Sequence, residues 1–252
     1  MKTTFTYLAW VLILIGVLLG QSCGTYYYVG TKQTVLEYKE KGDVNLELGT
    51  TGDDIAIKHI GFGYAFTKHL AFNSSYSNYD WNHEKDYIWD NEIIYFHELD
   101  KNIFAAINIG GTFGKLNSGG EYFNLDLFRE YVQPSIGFSN DYVDLGVSLR
   151  FTNLHYNLNQ IKPLDYASKN TFEEEFELYD IGGSSMRFIE PAVTIGVGNK
   201  WVKLRLQVTK TSQKTPGRMS YYSQARGYLS INAHFNVSDV FGNKKKDINP
   251  FP

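Results

Sequence analysis

Between residues 143 and 152 the chain alternates without a break. Val143, Leu145, Val147, Leu149 and Phe151 fall on one side of an extended strand, and Asp144, Gly146, Ser148, Arg150 and Thr152 on the other, because successive strand side chains point to opposite faces. Two architectures use such a strand. In a soluble sandwich the apolar face is core and the polar face meets water. In a membrane barrel the apolar face meets lipid and the polar face lines the lumen.

The period of two holds from Gly42 onward. Val44, Leu46 and Leu48 alternate with Asp43, Asn45 and Glu47. Over 54–66, Ile60, Phe62, Tyr64 and Phe66 share one face and Gly61, Gly63 and Ala65 the other. Large residues outside and small ones inside suit a narrow closed barrel; a second layer packed on the glycine face gives the same pattern. Further strands are expected over 70–79, 88–99, 103–113, 128–139, 186–198, 201–209 and 221–236, with 88–99 the least regular. Ile103, Ile107, Ile109 and Phe113 oppose Phe104, Ala106, Asn108, Gly110 and Thr112, and Val202, Leu204, Leu206 and Val208 oppose Lys203, Arg205, Gln207 and Thr209. In the last strand Leu229 and Ile231 oppose Arg226, Ser230 and Asn232.

That makes ten strands, and the connections alternate in length. The turns at 67–69, 100–102, 140–141 and 198–200 are short, whereas the loops over 80–86, 115–126, 157–185 and 211–217 are long. An even strand number with short turns at one end and longer loops at the other is the bacterial outer-membrane pattern. The expected fold is therefore all-β: an antiparallel up-and-down transmembrane β-barrel of about ten strands. Both ends of such a barrel lie on the side of the short turns, the periplasmic side.

Gln133, Arg150, Glu190, Lys203, Arg205, Gln207 and Arg226 all fall on the polar side of their strands. Charges inside a narrow barrel must pair or be hydrated. Glu190 among Arg150, Lys203 and Arg205 is expected to form a lumen network, with Arg150 as its main partner. A structural plug of paired charges is favoured over a polar path for small anions, since ten strands leave little room for an open pore. One five-residue echo stands out: Val132-Gln133-Pro134-Ser135-Ile136 matches Ile189-Glu190-Pro191-Ala192-Val193. Proline cannot donate to a ladder, so each is expected at a bulge or rim.

The start of the chain has a different character. Lys2 precedes an apolar run over 7–20, a charged region followed by the apolar core of an export signal, too short for a comfortable spanning helix. The run ends in Leu18-Leu19-Gly20-Gln21-Ser22-Cys23. Small residues before a cysteine resemble the lipobox of bacterial lipoproteins, with Gln21 a looser match than the commonest form; an ordinary signal with an incidental cysteine is the alternative. Cys23 is the one cysteine in the chain, so no internal disulfide can form, and an acylated Cys23 would tether the mature protein to membrane. The expected division is signal peptide 1–22, lipid-anchored tether 23–41, barrel 42–236 and polar tail 237–252. Tyr26-Tyr27-Tyr28 within the tether suit either a headgroup boundary or packing beneath the barrel.

Composition agrees with this division. Aromatic residues make up 16% of the chain, with 19 Tyr and 17 Phe, types that favour pleated surfaces and lipid–water boundaries. A mean hydropathy of −0.30 excludes a multi-helix membrane protein but not a barrel, whose strands are only half apolar. A net charge of −3 gives no basis for binding nucleic acid. No H-E-x-x-H, G-x-S-x-G or P-loop pattern occurs, and neither a cofactor nor a metal ligand set is expected. His83 lies near Asp80, Glu84 and Asp86 in a predicted loop, as rim residues do in the ten-stranded omptin proteases. The chain lacks a clear paired-aspartate signature, and solvated loop charge explains the group better. No catalytic residue is assigned.

The lipobox cysteine, the stretches 36–44 (LEYKEKGDV) and 61–70 (GFGYAFTKHL), and 131–138 (YVQPSIGF) together resemble a family of outer-membrane barrel lipoproteins of the Bacteroidota. The resemblance covers most of the mature chain and implies location and fold; its motifs are architectural. The expected role is that of a lipid-anchored outer-membrane barrel, structural or accessory in the envelope, in contact with outer-membrane lipid and with protein partners of a larger complex. A narrow channel or small-ligand-binding barrel comes second. A rim enzyme acting on lipid or peptide comes third.

Overall fold

The computed structural model describes residues 31–35, 38–51, 56–81, 84–118, 123–161, 185–213 and 223–238. Cys23, the signal segment, the three tyrosines, His83, most of the 157–185 loop and most of the tail lie outside the described residues.

Ten strands form: β1 (Asp43–Thr51), β2 (Ala56–Ala65), β3 (Leu70–Trp81), β4 (Glu84–Asp100), β5 (Ile103–Ser118), β6 (Phe123–Ser139), β7 (Val143–Ile161), β8 (Ser185–Gly198), β9 (Val202–Gln213) and β10 (Ser223–Asn236). Each pairs antiparallel with its sequence neighbour, and β1 pairs with β10 from Asp43↔Asn236 to Thr51↔Tyr228, so the sheet closes on itself. Closure leaves no unpaired strand edge. The period of two then sorts every strand into an inward and an outward face.

The outward face is apolar. Large exposed hydrophobic side chains come from all ten strands, among them Leu48, Phe62, Tyr76, Ile93, Ile109, Ile136, Val147, Ile189, Leu204 and Ile231. The middle of the inward face is polar and buried, with Asn108, Gln133, Asp144, Arg150, Glu190 and Gln207 at most 1% exposed, and buried apolar side chains lie inside toward both ends, Ile94 and Phe96 at one and Ile88, Leu127 and Leu154 at the other. Core and surface have exchanged chemistry relative to a water-soluble protein.

Five junctions share one end of the barrel. Four are hairpin turns and the fifth is where β10 ends beside the start of β1, with Val237 N donating to Gly42 O at 2.9 Å. Side-chain oxygens cap these turns, as Asn and Thr do where the backbone must reverse. Asn140 Oδ1 accepts from Tyr142 N and Val143 N, both at 2.8 Å; Asn199 Oδ1 accepts from Trp201 N and Val202 N; Thr67 Oγ1 accepts from His69 N and Leu70 N. Asn102 takes a left-handed φ of 67° in the β4–β5 turn, as Asn tolerates.

At the other end the expected loops are shorter than the sequence pattern suggests. β3 and β4 together extend through Trp81 and from Glu84, across most of the expected 80–86 loop, and β5, β6, β7 and β9 likewise run past the ends of their apolar patterns. Apolar alternation records where one face leaves water. Ladder hydrogen bonds continue beyond that, where outward residues such as Asp126 and Glu130 are polar while Leu127 and Leu154 stay buried inside. Asp86, expected in a solvated rim loop, is buried on β4 at 2% exposure.

The two prolines also differ from expectation. Neither lies at a rim or bulge. Pro134 pairs with Ile107 and Pro191 with Leu149, and the flanking pairs on the opposite side keep one register: Val132↔Phe151 with Ser135↔Ser148, and Ile189↔Ser212 with Ala192↔Thr209. Each proline interrupts one ladder in mid-strand without shifting it. The register shifts that do occur lie at Glu98/Asp100 and Asn124/Leu125.

Asn140→Ala removes the one side-chain acceptor that takes both N–H bonds of its turn. Its unfolding free energy in detergent should fall by about 1 kcal/mol, seen as a lower urea midpoint, while the exposed neighbour substitution Asp141→Ala leaves the midpoint unchanged.

Candidate functional site: a lumen occupied by the preceding chain segment

The inward faces of the strands do not enclose an empty channel. Residues 31–35 and Tyr38 lie inside, with Thr31, Gln33, Thr34, Val35 and Tyr38 all buried. The segment enters at the short-turn rim. There Asp43 Oδ2 accepts from Lys39 N at 2.7 Å and Glu40 N at 3.0 Å, and Gly42, at a φ of 89°, turns the chain into β1. Tyr38 packs on Ala65, Ala71, Ile94 and Phe96 near the barrel base. Gly63 makes room for it: a Cβ there would sit 1.6 Å from the Tyr38 hydroxyl. The small inward face of β2 is thus shaped for this ring.

Above Tyr38 the segment has no strand partner, and the wall side chains take up its backbone groups. Buried N–H and C=O groups must be satisfied, and here amides do it. Gln207 bonds Gln33 in both directions, its Oε1 accepting from Gln33 N at 2.7 Å and its Nε2 donating to Gln33 O at 2.8 Å. Asn108 Nδ2 and Gln133 Nε2 donate to Thr34 O at 3.3 and 2.7 Å. The side chains of the segment are held as well. Gln33 Nε2 donates to the Glu190 carbonyl at 2.8 Å, Gln33 Oε1 accepts from Ser148 Oγ at 2.7 Å, and Thr34 Oγ1 accepts from Asn73 Nδ2 at 2.9 Å.

The repeated five-residue motif acquires a purpose from these contacts. Gln133 and Glu190, each immediately before its proline, both grip the segment, one through its amide and the other through its carbonyl. The carbonyl of Glu190 stands beside the ladder interrupted at Pro191, where it can turn toward Gln33.

Charge is arranged in two groups. Near the short turns Asp144 accepts from Lys203 Nζ at 2.6 Å, from Arg205 Nε and Nη2 at 3.0 and 2.9 Å, and from Ser139 Oγ at 2.7 Å. Higher in the lumen Arg129 bonds Asp90 at 2.5 Å and Thr31 Oγ1 at 2.7 Å, and Thr112 also donates to Asp90. Arg150 donates to Gln133 Oε1, Thr31 Oγ1 and Lys32 O at 3.0, 2.9 and 3.1 Å, with its guanidinium 4.3 Å from the Tyr131 ring centre. Lys32 of the segment pairs with Glu47 on β1, which also meets His59 Nε2 at 3.0 Å. The segment therefore supplies a cation to the wall as well as filling space.

All six predicted lumen residues point inward: Gln133, Arg150, Glu190, Arg205 and Arg226 are buried and Lys203 half-buried. Their grouping differs from expectation. Arg150 and Glu190 do stand opposite one another across β7 and β8, but Glu190 accepts from Thr152 Oγ1 and Thr211 Oγ1 and Arg150 turns to Gln133 and the segment. Lys203 and Arg205 bind Asp144, because Arg205 stands opposite Gly196, six residues along β8 from Glu190. The expected tether over 23–41 is likewise corrected for residues 31–35 and Tyr38, which lie inside the barrel. Asp144, Asp90, Glu92 and Arg129 were within reach of the sequence pattern, since each alternates inward. Residues 31–35 carry no period that announces a lumen strand. Among the described residues no cluster of three or more His, Cys, Asp or Glu side chains is placed to hold a metal ion.

No protein-family model matches the chain, and no curated protein matches it. Among solved structures, the N-terminal β-barrel domain of Pseudomonas aeruginosa OprF is similar at a TM-score of 0.37 and 10% identity, over 78% of this chain and 99% of that one.

Asp144→Ala strands Lys203 and Arg205 in a buried site without their carboxylate. It should lower the unfolding free energy by about 3–5 kcal/mol, measured by urea titration of the refolded barrel, and Asp144→Asn should recover part of that loss through the hydrogen bond from Ser139.

Proposed function

We propose that this chain is an outer-membrane barrel, anchored also by a lipid on Cys23, that serves as a closed structural or accessory component of the bacterial envelope. The observation that carries this is the reversed sidedness of the barrel. All ten strands expose large apolar side chains outward, while the buried charge and amides face inward. In water such an exterior would be one continuous apolar patch far beyond what monomers tolerate; in lipid it is the required surface. Aromatic residues flank it. Tyr142 and Trp201 stand at the short turns with Lys200 4.4 Å from the Trp201 ring, and Tyr76 stacks on Tyr87 at 6.1 Å on the other side, the placement that interfacial aromatics adopt.

A closed role is favoured over a channel because the lumen holds residues 31–35 and Tyr38 under hydrogen bonds from the wall. Opening a path would strip those bonds and leave buried polar groups unpaired, each at about 1–3 kcal/mol. Neither a nucleophile–base pair nor a ligand-sized polar site stands out among the described residues, so a role through association with outer-membrane lipid and envelope protein partners is preferred to catalysis. The resemblance to Bacteroidota barrel lipoproteins is consistent with that role.

Fractionation of cells carrying wild type or Cys23→Ala, grown with labelled palmitate, tests both halves of the proposal. Wild type should be labelled and sediment with outer membrane, while Cys23→Ala should lose the label and remain in that membrane through its barrel. Unlabelled wild type removes the lipid, and soluble Cys23→Ala removes the spanning barrel. Reconstituted into planar bilayers, the protein should give no unitary conductance; stable steps would overturn the closed role.

A further inference from the structure

The outward face of β3 and β4 carries a polar spot within its apolar surface. Ser74 and Asn91 are register partners, and each is half-buried between inward neighbours, Asn91 lying between the buried Asp90 and Glu92. Exposed apolar side chains surround the pair: Tyr76 on β3, Trp89 and Ile93 on β4, Phe62 opposite Ser74 on β2, and Ile109 and Phe113 on β5.

The hydrogen bonds of this spot run in one direction. Trp89 Nε1 donates to Ser74 Oγ at 2.7 Å, and Ser74 Oγ donates to Asn91 Oδ1 at 2.9 Å. The run ends on Asn91 Nδ2, whose two N–H groups meet no acceptor among the described residues. Hydrocarbon offers such a donor no partner. Polar side chains and small residues on spanning surfaces are where one spanning element holds another.

A small residue stands beside the amide. Gly111 is the register partner of Asn91 on β5. Gly63 and Gly110 clear space for rings of their own barrel, but a Cβ on Gly111 would meet only Arg129 O, at 3.8 Å, which is ordinary contact. Gly111 is not among the residues of positive φ either. Neither packing within the barrel nor its backbone conformation requires glycine there. The notch is open outward, next to the unsatisfied amide.

We infer that the chain forms a two-fold dimer in the membrane through β3, β4 and β5, with the Asn91 amides of the two copies bonded to each other. An amide carries both donor and acceptor, so two of them related by a two-fold axis bond reciprocally, N–H to O each way. An axis along the membrane normal at β4 sets β3 of each copy against β5 of the other. The rungs of the sheet climb from β3 toward β9: Phe72 is two residues from the short-turn end of β3, while Ser212 on the same rung is ten from that end of β9. Gly111 therefore stands higher than Ser74 and about level with Tyr76, two residues further along β3. The Tyr76 ring of each copy then fills the Gly111 notch of the other, a knob and a hole supplied by the same surface. The inference rests on the outer-membrane reading, since in water the amide would be hydrated.

The full chain, purified from membranes in mild detergent, is tested by sedimentation equilibrium in density-matched detergent. Wild type should have the mass of two chains. Asn91→Leu and Gly111→Leu should each weaken dimerisation by about tenfold, while Leu206→Ala, exposed on β9 across the barrel, should leave it unchanged. Heat-dependent gel mobility confirms that each variant is a folded barrel, and Gly111→Leu leaves the Trp89–Ser74–Asn91 bonds in place. A wild-type monomer, a dimer indifferent to both substitutions, or a complex with a different chain in place of the second copy overturns the inference. The membrane reading is separated by solubility. A folded, detergent-dependent monomer overturns the dimer alone, and a chain soluble in buffer without detergent overturns both.

Discussion

A barrel that turns its apolar face outward must bury its polar face, and everything inside this protein follows from that constraint. A charged or amide group removed from water is costly unless it is paired and hydrogen-bonded. Ten strands enclose more space than their own inward side chains fill, so a further polar partner is required. Residues 31–35 and Tyr38 are that partner. They bring backbone carbonyls to Asn108, Gln133 and Gln207, a hydroxyl to Arg129 and Arg150, and an ammonium to Glu47.

The same constraint accounts for features that lie far apart in the sequence. Glycine at position 63 clears space for Tyr38, and glycine at 110 does so for Tyr131, whose ring a Cβ there would approach to 2.3 Å. The two mid-strand prolines each forgo a ladder bond, and the residues before them, Gln133 and Glu190, hold the segment. Asp144 neutralises Lys203 and Arg205 near the short turns, and the rest of the lumen holds Glu47, Asp90, Glu92 and Glu190 with Lys32, Arg129, Arg150 and Arg226. A wall of matched charges around a filled centre supports rigidity and closure more than transport.

Much of the fold was legible from alternation alone. The inward and outward faces of 143–152, 103–113 and 202–209 lie as the pattern predicts, and the number and antiparallel order of strands follow from it. Strand ends were less legible, because the apolar signal stops where the membrane-facing band does and the ladders continue. The site was legible only residue by residue. Alternation places Arg150, Glu190 and Arg205 inside but holds no information on register, and register decides that Arg205 meets Asp144 and not Glu190. The lumen segment was not legible at all: Thr31-Lys32-Gln33-Thr34-Val35 has no strand partner and no period, and its place depends on amides supplied by four distant strands, through Asn73, Asn108, Gln133 and Gln207.

The claim at the centre of this account is that residues 31–35 and Tyr38 are part of the folded interior. Amide hydrogen exchange read by mass spectrometry on a peptide covering them tests it most directly. Held by Gln207 at Gln33 N and enclosed by the wall, this peptide should exchange over hours, as slowly as the central strands of the barrel. Complete exchange within seconds, with the strands still protected, would place the segment outside and contradict the account.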